Sequence, residues 1–148
     1  MSHNHCIRMS LDLKDKHITF EENFCEEKKI NGVNSKVYLA TLTYTPDNCP
    51  CCGMPNKDFS IVKNGFLTSR IKWVSMAHFP TYIRLKKQRF LCRNCQTTFV
   101  AESKEIHPHC FIANRVKQSI ALELGDEVSL KNLSKRHFVS PTTITRVL

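Results

Sequence analysis

Five of the eight cysteines fall in two tight clusters, Cys49-Pro50-Cys51-Cys52-Gly53 and Cys92-Arg93-Asn94-Cys95. Each cluster contains a Cys-x-x-Cys pair. Two residues between thiols let a short turn aim both sulfurs at one ion while its backbone N–H groups bond to the thiolates. Two such turns supply the four ligands of a closed tetrahedral zinc site. Cys49, Cys52, Cys92 and Cys95 are the predicted ligands, and Zn²⁺ the predicted cofactor. A redox dithiol is the competing chemistry, but no thioredoxin-like βαβ pattern surrounds either pair. Cys51 could replace Cys52 only by forming a cramped Cys-x-Cys pair. The isolated Cys6, Cys25 and Cys110 read as small buried hydrophobes. His3 and His5, beside Cys6, offer further ligand atoms on a terminus expected to be flexible.

Charge is the second chemical signal. Of 22 basic and 13 acidic residues, positions 57–118 hold 12 and 3, which accounts for the whole excess of +9. A field of that density attracts polyanions and releases their counterions on binding, although a basic solvated surface is the plainer explanation. Arg84, Lys86, Lys87 and Arg89 stand in one run without matching acidic residues, interleaved with Tyr82 and Phe90. They are the expected phosphate contacts. Glu21, Glu22, Glu26 and Glu27 form a local acidic run, read as a solvated surface.

The elements that must position these groups change character along the chain. Residues 5–14 suggest a short helix, and Lys36–Tyr44 a strand rich in β-branched and aromatic residues. The 39 residues between the Cys-x-x-Cys pairs read as β structure. Asn64-Gly65, inside Ile61–Leu67, predicts a hairpin turn. Arg70–Val74 is a further candidate strand. Tyr82–Leu91 is another, with Ile83, Leu85 and Leu91 facing a core and Arg84, Lys86 and Gln88 facing away. Such a small sheet would lean on its metal for stability.

After the second cluster the period lengthens from two to about 3.6. Ile112, Val116, Ile120 and Leu124, with Ala113 and Ala121, form one stripe, and Gly125 marks its end. Ser129 can cap a second helix, and Ser140-Pro141 opens a third. Two short helices after a longer one predict a helix-turn-helix, with an ordinary three-helix packing unit as the alternative. Ile144 and Val147 would face inward, leaving Thr142, Thr143, Thr145 and Arg146 to read DNA from the last helix. Phe138 stands where that turn favours Gly or Asn, and His137 where an apolar residue is usual.

Several of these stretches resemble the amino-terminal part of ISL-three family insertion-sequence transposases. They are Cys49-Pro50-x-Cys52-Gly53, the run from Tyr82 through Cys92-x-x-Cys95 to Phe99, and Ser140-Pro141-x-Thr143. The similarity extends to Ile18–Asn23 and Leu42-Thr43-Tyr44, and so covers nearly the whole chain. It implies a zinc-finger and helix-turn-helix region that binds an element's terminal inverted repeats, with the same four cysteines as ligands. The family's catalytic acidic-triad domain lies further along.

The expected fold is thus α+β: a small zinc-ribbon β module followed by a three-helix helix-turn-helix, truncated in its last helix. The expected divisions are an amino-terminal segment 1–45, a ribbon 46–106 and a helical domain 107–148. No H-E-x-x-H or phosphate loop occurs, and the chain alone is expected to be non-catalytic. Its expected partner is double-stranded DNA at transposon ends, with self-association through regions outside this chain. A zinc-dependent transcription regulator is the alternative. A metal-handling or interaction protein whose basic face meets protein or RNA is a third class. No apolar run approaches a membrane span and no secretory signal opens the chain, so a cytoplasmic, nucleoid-associated protein is expected.

Overall fold

The computed structural model describes residues 3–106 and 110–147. Its centre is one five-stranded sheet. Helix α1 (His3–Leu11) precedes β1 (Ile18–Ile30) and β2 (Val33–Leu42), which pair antiparallel. Strands β3 (Ile61–Met76) and β4 (Phe79–Cys92) form a second, longer antiparallel pair. β4 runs parallel to β2, giving the order β1-β2-β4-β3. β5 (Thr98–Val100) turns back along Arg89–Leu91 of β4. β3 already fills the other edge of β4 there, so β5 lies on the β2 side.

Two tight turns fix this register. Asn31-Gly32 joins β1 to β2 with both residues in the left-handed region (φ 52° and 77°), the chemistry a type I′ hairpin prefers. Ala77 and His78 join β3 to β4 with φ 50° and 64°, a conformation that side chains carrying a Cβ adopt at a cost.

The hairpin expected at Asn64-Gly65 does not form. Both residues lie inside β3, opposite Arg89, as a bulge between the Lys63↔Phe90 and Phe66↔Gln88 pairs. Gly65 takes the left-handed conformation (φ 75°), and its carbonyl accepts from Gln88 Nε2 at 2.7 Å. Gln88, expected to face solvent, is only 3% exposed because it fills this bulge. The buried series on β4 accordingly changes parity. Thr81, Ile83 and Leu85 are buried, then Gln88, Phe90 and Cys92, while Leu91 is half-buried.

Three helices follow, α2 (Asn114–Glu123), α3 (Leu130–His137) and α4 (Pro141–Val147). Ser129 Oγ accepts from the Asn132 N–H at the start of α3. Ser140 Oγ does the same for Thr143 at the start of α4, at 3.3 Å. Val116 and Ile120 of the expected stripe are buried, but Ala121 is exposed.

The expected architecture does not hold. The molecule is α+β but mostly a long-stranded sheet, and it is not a small ribbon followed by a separate helix-turn-helix truncated in its last helix. The amino-terminal strands join the same sheet as β3 and β4. The carboxyl-terminal helices are grafted onto its edge: the Lys72 N–H donates to the Phe111 carbonyl at 2.7 Å, and the Ala113 N–H to the Lys72 carbonyl at 3.0 Å. Val116, Ile120, Leu133 and Ile144 then share one apolar cluster with Ile7, Leu11, Trp73 and Ile83. Reading Asn64-Gly65 as a turn cut β3 in two, which is why the sheet looked too small. Leu148 lies outside the described residues.

Candidate metal centre and basic face

Both cysteine clusters are built on one backbone plan. In the first, the Cys49 N–H donates to the Met54 carbonyl at 3.0 Å and the Gly53 N–H to the Cys49 carbonyl at 2.9 Å. In the second, the Cys92 N–H donates to the Thr97 carbonyl and the Gln96 N–H to the Cys92 carbonyl, both at 2.9 Å. Each loop is thereby cinched into a knuckle that points two sulfurs the same way. The second knuckle caps the β4–β5 turn. A bond from the Arg93 N–H to the Ser60 carbonyl, 2.8 Å, ties it to the start of β3.

The four sulfurs of Cys49, Cys52, Cys92 and Cys95 lie within 4.8 Å of one another. Cys49 to Cys95 and Cys52 to Cys92 are each 3.7 Å, sulfur to sulfur. A zinc ion with four sulfurs at about 2.3 Å has tetrahedron edges of about 3.8 Å. The donor set and its spacing therefore fit one Zn²⁺. Cys51 is exposed and contributes its N–H, which donates to Cys49 Sγ at 3.4 Å. Cys6 and Cys25, expected to be buried, are both exposed, and Cys110 is half-buried.

Local donors prepare some of these thiols for metal. The Thr97 hydroxyl and N–H beside Cys95 hold its thiol down to about 6. The Asn94 side chain lowers Cys52 in the same way. Against the pull of the Cys95 N–H, burial and the neighbouring thiols push Cys92 up to about 11. Four thiols this close share protons unequally, and a divalent cation replaces those protons.

Residues 45–95 match the family model for the zinc-finger of transposase IS204/IS1001/IS1096/IS1165. The match spans both knuckles and roughly a third of the chain. No curated protein and no solved structure matches the chain. The four-cysteine centre is thus a zinc ribbon of a transposase-related type.

The basic run of β4 is less free than its sequence suggests. Arg84 is ion-paired with Glu26, which also meets Lys28 at 2.9 Å. Lys86 meets Glu21 at 3.2 Å. The Lys28 and Arg84 hydrogen bonds hold the Glu26 carboxyl below its usual range. The acidic run of β1, expected to be merely solvated, reaches these cations across β2. Lys87 is half-buried beside Leu42, Leu85 and Phe99, and that burial lowers its pKa. Arg89 is exposed, with no ion pair among the described residues. Phe90 is in the core against Tyr44 and Phe99, so it cannot meet nucleic acid. Tyr82 has Arg70 at 5.1 Å and Lys72 at 4.9 Å from its ring centroid.

On α4, Thr142, Thr145 and Arg146 are exposed, whereas Ile144 is buried and Val147 half-buried. Thr143 is half-buried, its hydroxyl 3.0 Å from Ser140 Oγ. Sequence reasoning passed over Lys72, a buried lysine in the middle of β3. Its neighbours Ile71 and Trp73 offered a signal, since Lys72 sits within a run that is buried on both sides.

Among the described residues no helix is long and apolar enough to cross a membrane.

Proposed function

We propose that this chain is a DNA-binding part of a transposase, and that it recognises the terminal inverted repeats of an insertion sequence. The observation that carries the reading is the transposase zinc-finger match over residues 45–95, whose four cysteines converge on one metal position. The zinc acts as a structural rivet. A four-thiolate ion is coordinatively closed and leaves no position for a reacting water, so we read the chain as a binding rather than a catalytic polypeptide.

The charge distribution supports the same partner. Arg70 and Arg84 are direct cross-strand partners on one face of β3 and β4, an arrangement that favours an anion between them. Arg84, Lys86, Lys87 and Arg89 are assigned to phosphates, with Glu21 and Glu26 exchanged for phosphate at the first two. Thr142, Thr143, Thr145 and Arg146 of α4 are assigned to the target sequence. The test is an anisotropy titration of the zinc-loaded chain with the repeats flanking its coding sequence and with a scrambled duplex, over a range of salt. Tighter, salt-dependent binding to the repeat supports the reading. Equal affinity for both duplexes removes end recognition, and no binding to either removes DNA.

A further inference from the structure

An open cleft of about 630 Å³ lies between the β3–β4 turn and the end of α3. Ser75, Ala77, His78, Lys135, Arg136 and Phe138 line it, and none of these is acidic. The turn presents His78, and the last turn of α3 presents Lys135 and Arg136. Arg136 bonds to Glu123 at 3.1 Å, while Lys135 makes no ion pair among the described residues. Phe138, which ends α3 in the left-handed conformation, forms one wall.

Behind that wall is a buried charge with no ion pair among the described residues. Lys72 is 4% exposed, and its Nζ has no hydrogen-bond partner among the described residues. The ammonium sits 5.6 Å from the Phe138 ring centroid and 4.9 Å from that of Tyr82. Ring faces attract a cation but do not supply the countercharge a buried ammonium lacks. Ser75, in the β3 bulge opposite Pro80, has a second buried polar atom, its Oγ, with no partner among the described residues. The cleft therefore gathers cations at its rim, an unmatched cation behind it and a spare hydroxyl, with an anion as the missing component.

We propose that this cleft binds a backbone phosphate of duplex DNA, a contact that rests on the DNA-binding reading above. Lys135 meets the phosphate oxygens, His78 flanks them, and the Lys72 ammonium stabilises the anion through space without touching it. A phosphate held here lies beside the α3–α4 junction. It would fix how α4 is presented to the bases, the positioning task that backbone contacts perform.

The experiment titrates wild type, Lys135→Gln and Lys72→Met, all zinc-loaded, with scrambled duplex from low to moderate salt. A second arm titrates wild type with inorganic phosphate and follows the His78 and Ser75 amides by NMR. Lys135→Gln should weaken duplex binding several-fold and reduce the salt slope by about 0.9, the loss of one phosphate contact. Lys72→Met should also weaken binding several-fold while melting no lower than wild type, a combination that a merely structural lysine would not give. If wild type binds duplex and Lys135→Gln keeps both its affinity and its slope, the cleft is not a phosphate site and the DNA reading stands. If wild type binds no duplex at any salt, the DNA reading itself fails. Phosphate shifts at His78 without duplex binding would mark an adventitious ion only and overturn the proposal.

Discussion

Gly53 and Gln96 occupy the same station in the two zinc knuckles. Each follows the second cysteine of its pair, each donates its N–H to the carbonyl of the first, and each is left-handed, with φ 72° and 59°. One station carries the residue that this conformation favours and the other does not. A Cβ added at Gly53 would meet nothing within 4 Å, so its replacement costs conformational energy alone. Gly53→Gln should lower stability by about 1 kcal/mol. Gln96→Gly should change it by less than half as much, because relief of the left-handed strain is offset by loss of the 2.8 Å bond from Gln96 Nε2 to the Arg93 carbonyl. Thermal unfolding of the two zinc-loaded variants checks the asymmetry.

Zinc removal should be local rather than global. The knuckles sit at one end of a sheet whose remaining core (Trp73, Ile83, Leu85 and Ile120 among others) is buried without the metal. Purified protein should hold about one zinc per chain with four sulfur ligands. Cys92→Ser should abolish tight binding and melt residues 46–60 and 92–100 while the β1–β4 strands persist, as hydrogen exchange would report. Cys51→Ser should leave zinc content intact, since Cys51 offers only its N–H. Zinc binding displaces thiol protons, so affinity should fall as pH drops. Complete unfolding on metal removal would show that the sheet does depend on the ribbon.

The metal site was legible because its information is local: two Cys-x-x-Cys turns carry ligands and backbone donors within six residues each. Helix starts at Ser129 and Ser140-Pro141 were legible for the same reason. The sheet was not. Two Asn-Gly dipeptides occur, and Asn31-Gly32 makes the hairpin while Asn64-Gly65 makes a bulge. Nothing next to either dipeptide distinguishes them, because the choice is made by Gln88, more than twenty residues from Gly65, whose amide needs the bulged carbonyl. The pairing of Arg84 with Glu26 was hidden likewise, since β1 reaches β4 only through the intervening β2.

Lys72 should make the fold less stable than it could be. Burial lowers its pKa from the ordinary 10.5 to about 8. The unfolded chain therefore binds more protons than the folded one between those values. Stability contributed at this site rises as pH increases through that window. Lys72→Met keeps the apolar stem and removes the charge, and should stabilise the protein by roughly 1–4 kcal/mol at neutral pH. The difference in melting temperature between wild type and variant should narrow as pH rises from about 8 towards 10.5. A constant difference would mean that Lys72 does not titrate in this range.

On the proposed DNA-binding reading, the ion pairs on β4 set an order among its cations. Arg89 meets no carboxylate among the described residues, whereas Lys86 must exchange Glu21 for a phosphate, at 3.2 Å in the free protein. An exposed pair of this kind is worth about 0–1 kcal/mol, so the exchange is nearly neutral and Lys86 gains less from phosphate than Arg89 does. Arg89→Ala should weaken scrambled duplex more than Lys86→Ala, and Glu21→Gln should strengthen it. Arg146 is exposed on α4, where an arginine can bond bidentately to guanine. Its replacement by Ala should cost about 1–3 kcal/mol on the terminal repeat and almost nothing on scrambled DNA. Parallel salt titrations on the two duplexes measure all four variants. Equal loss on both duplexes would make Arg146 a phosphate ligand. An Arg89→Ala effect no larger than that of Lys86→Ala would mean that Glu21 does not screen its partner in solution.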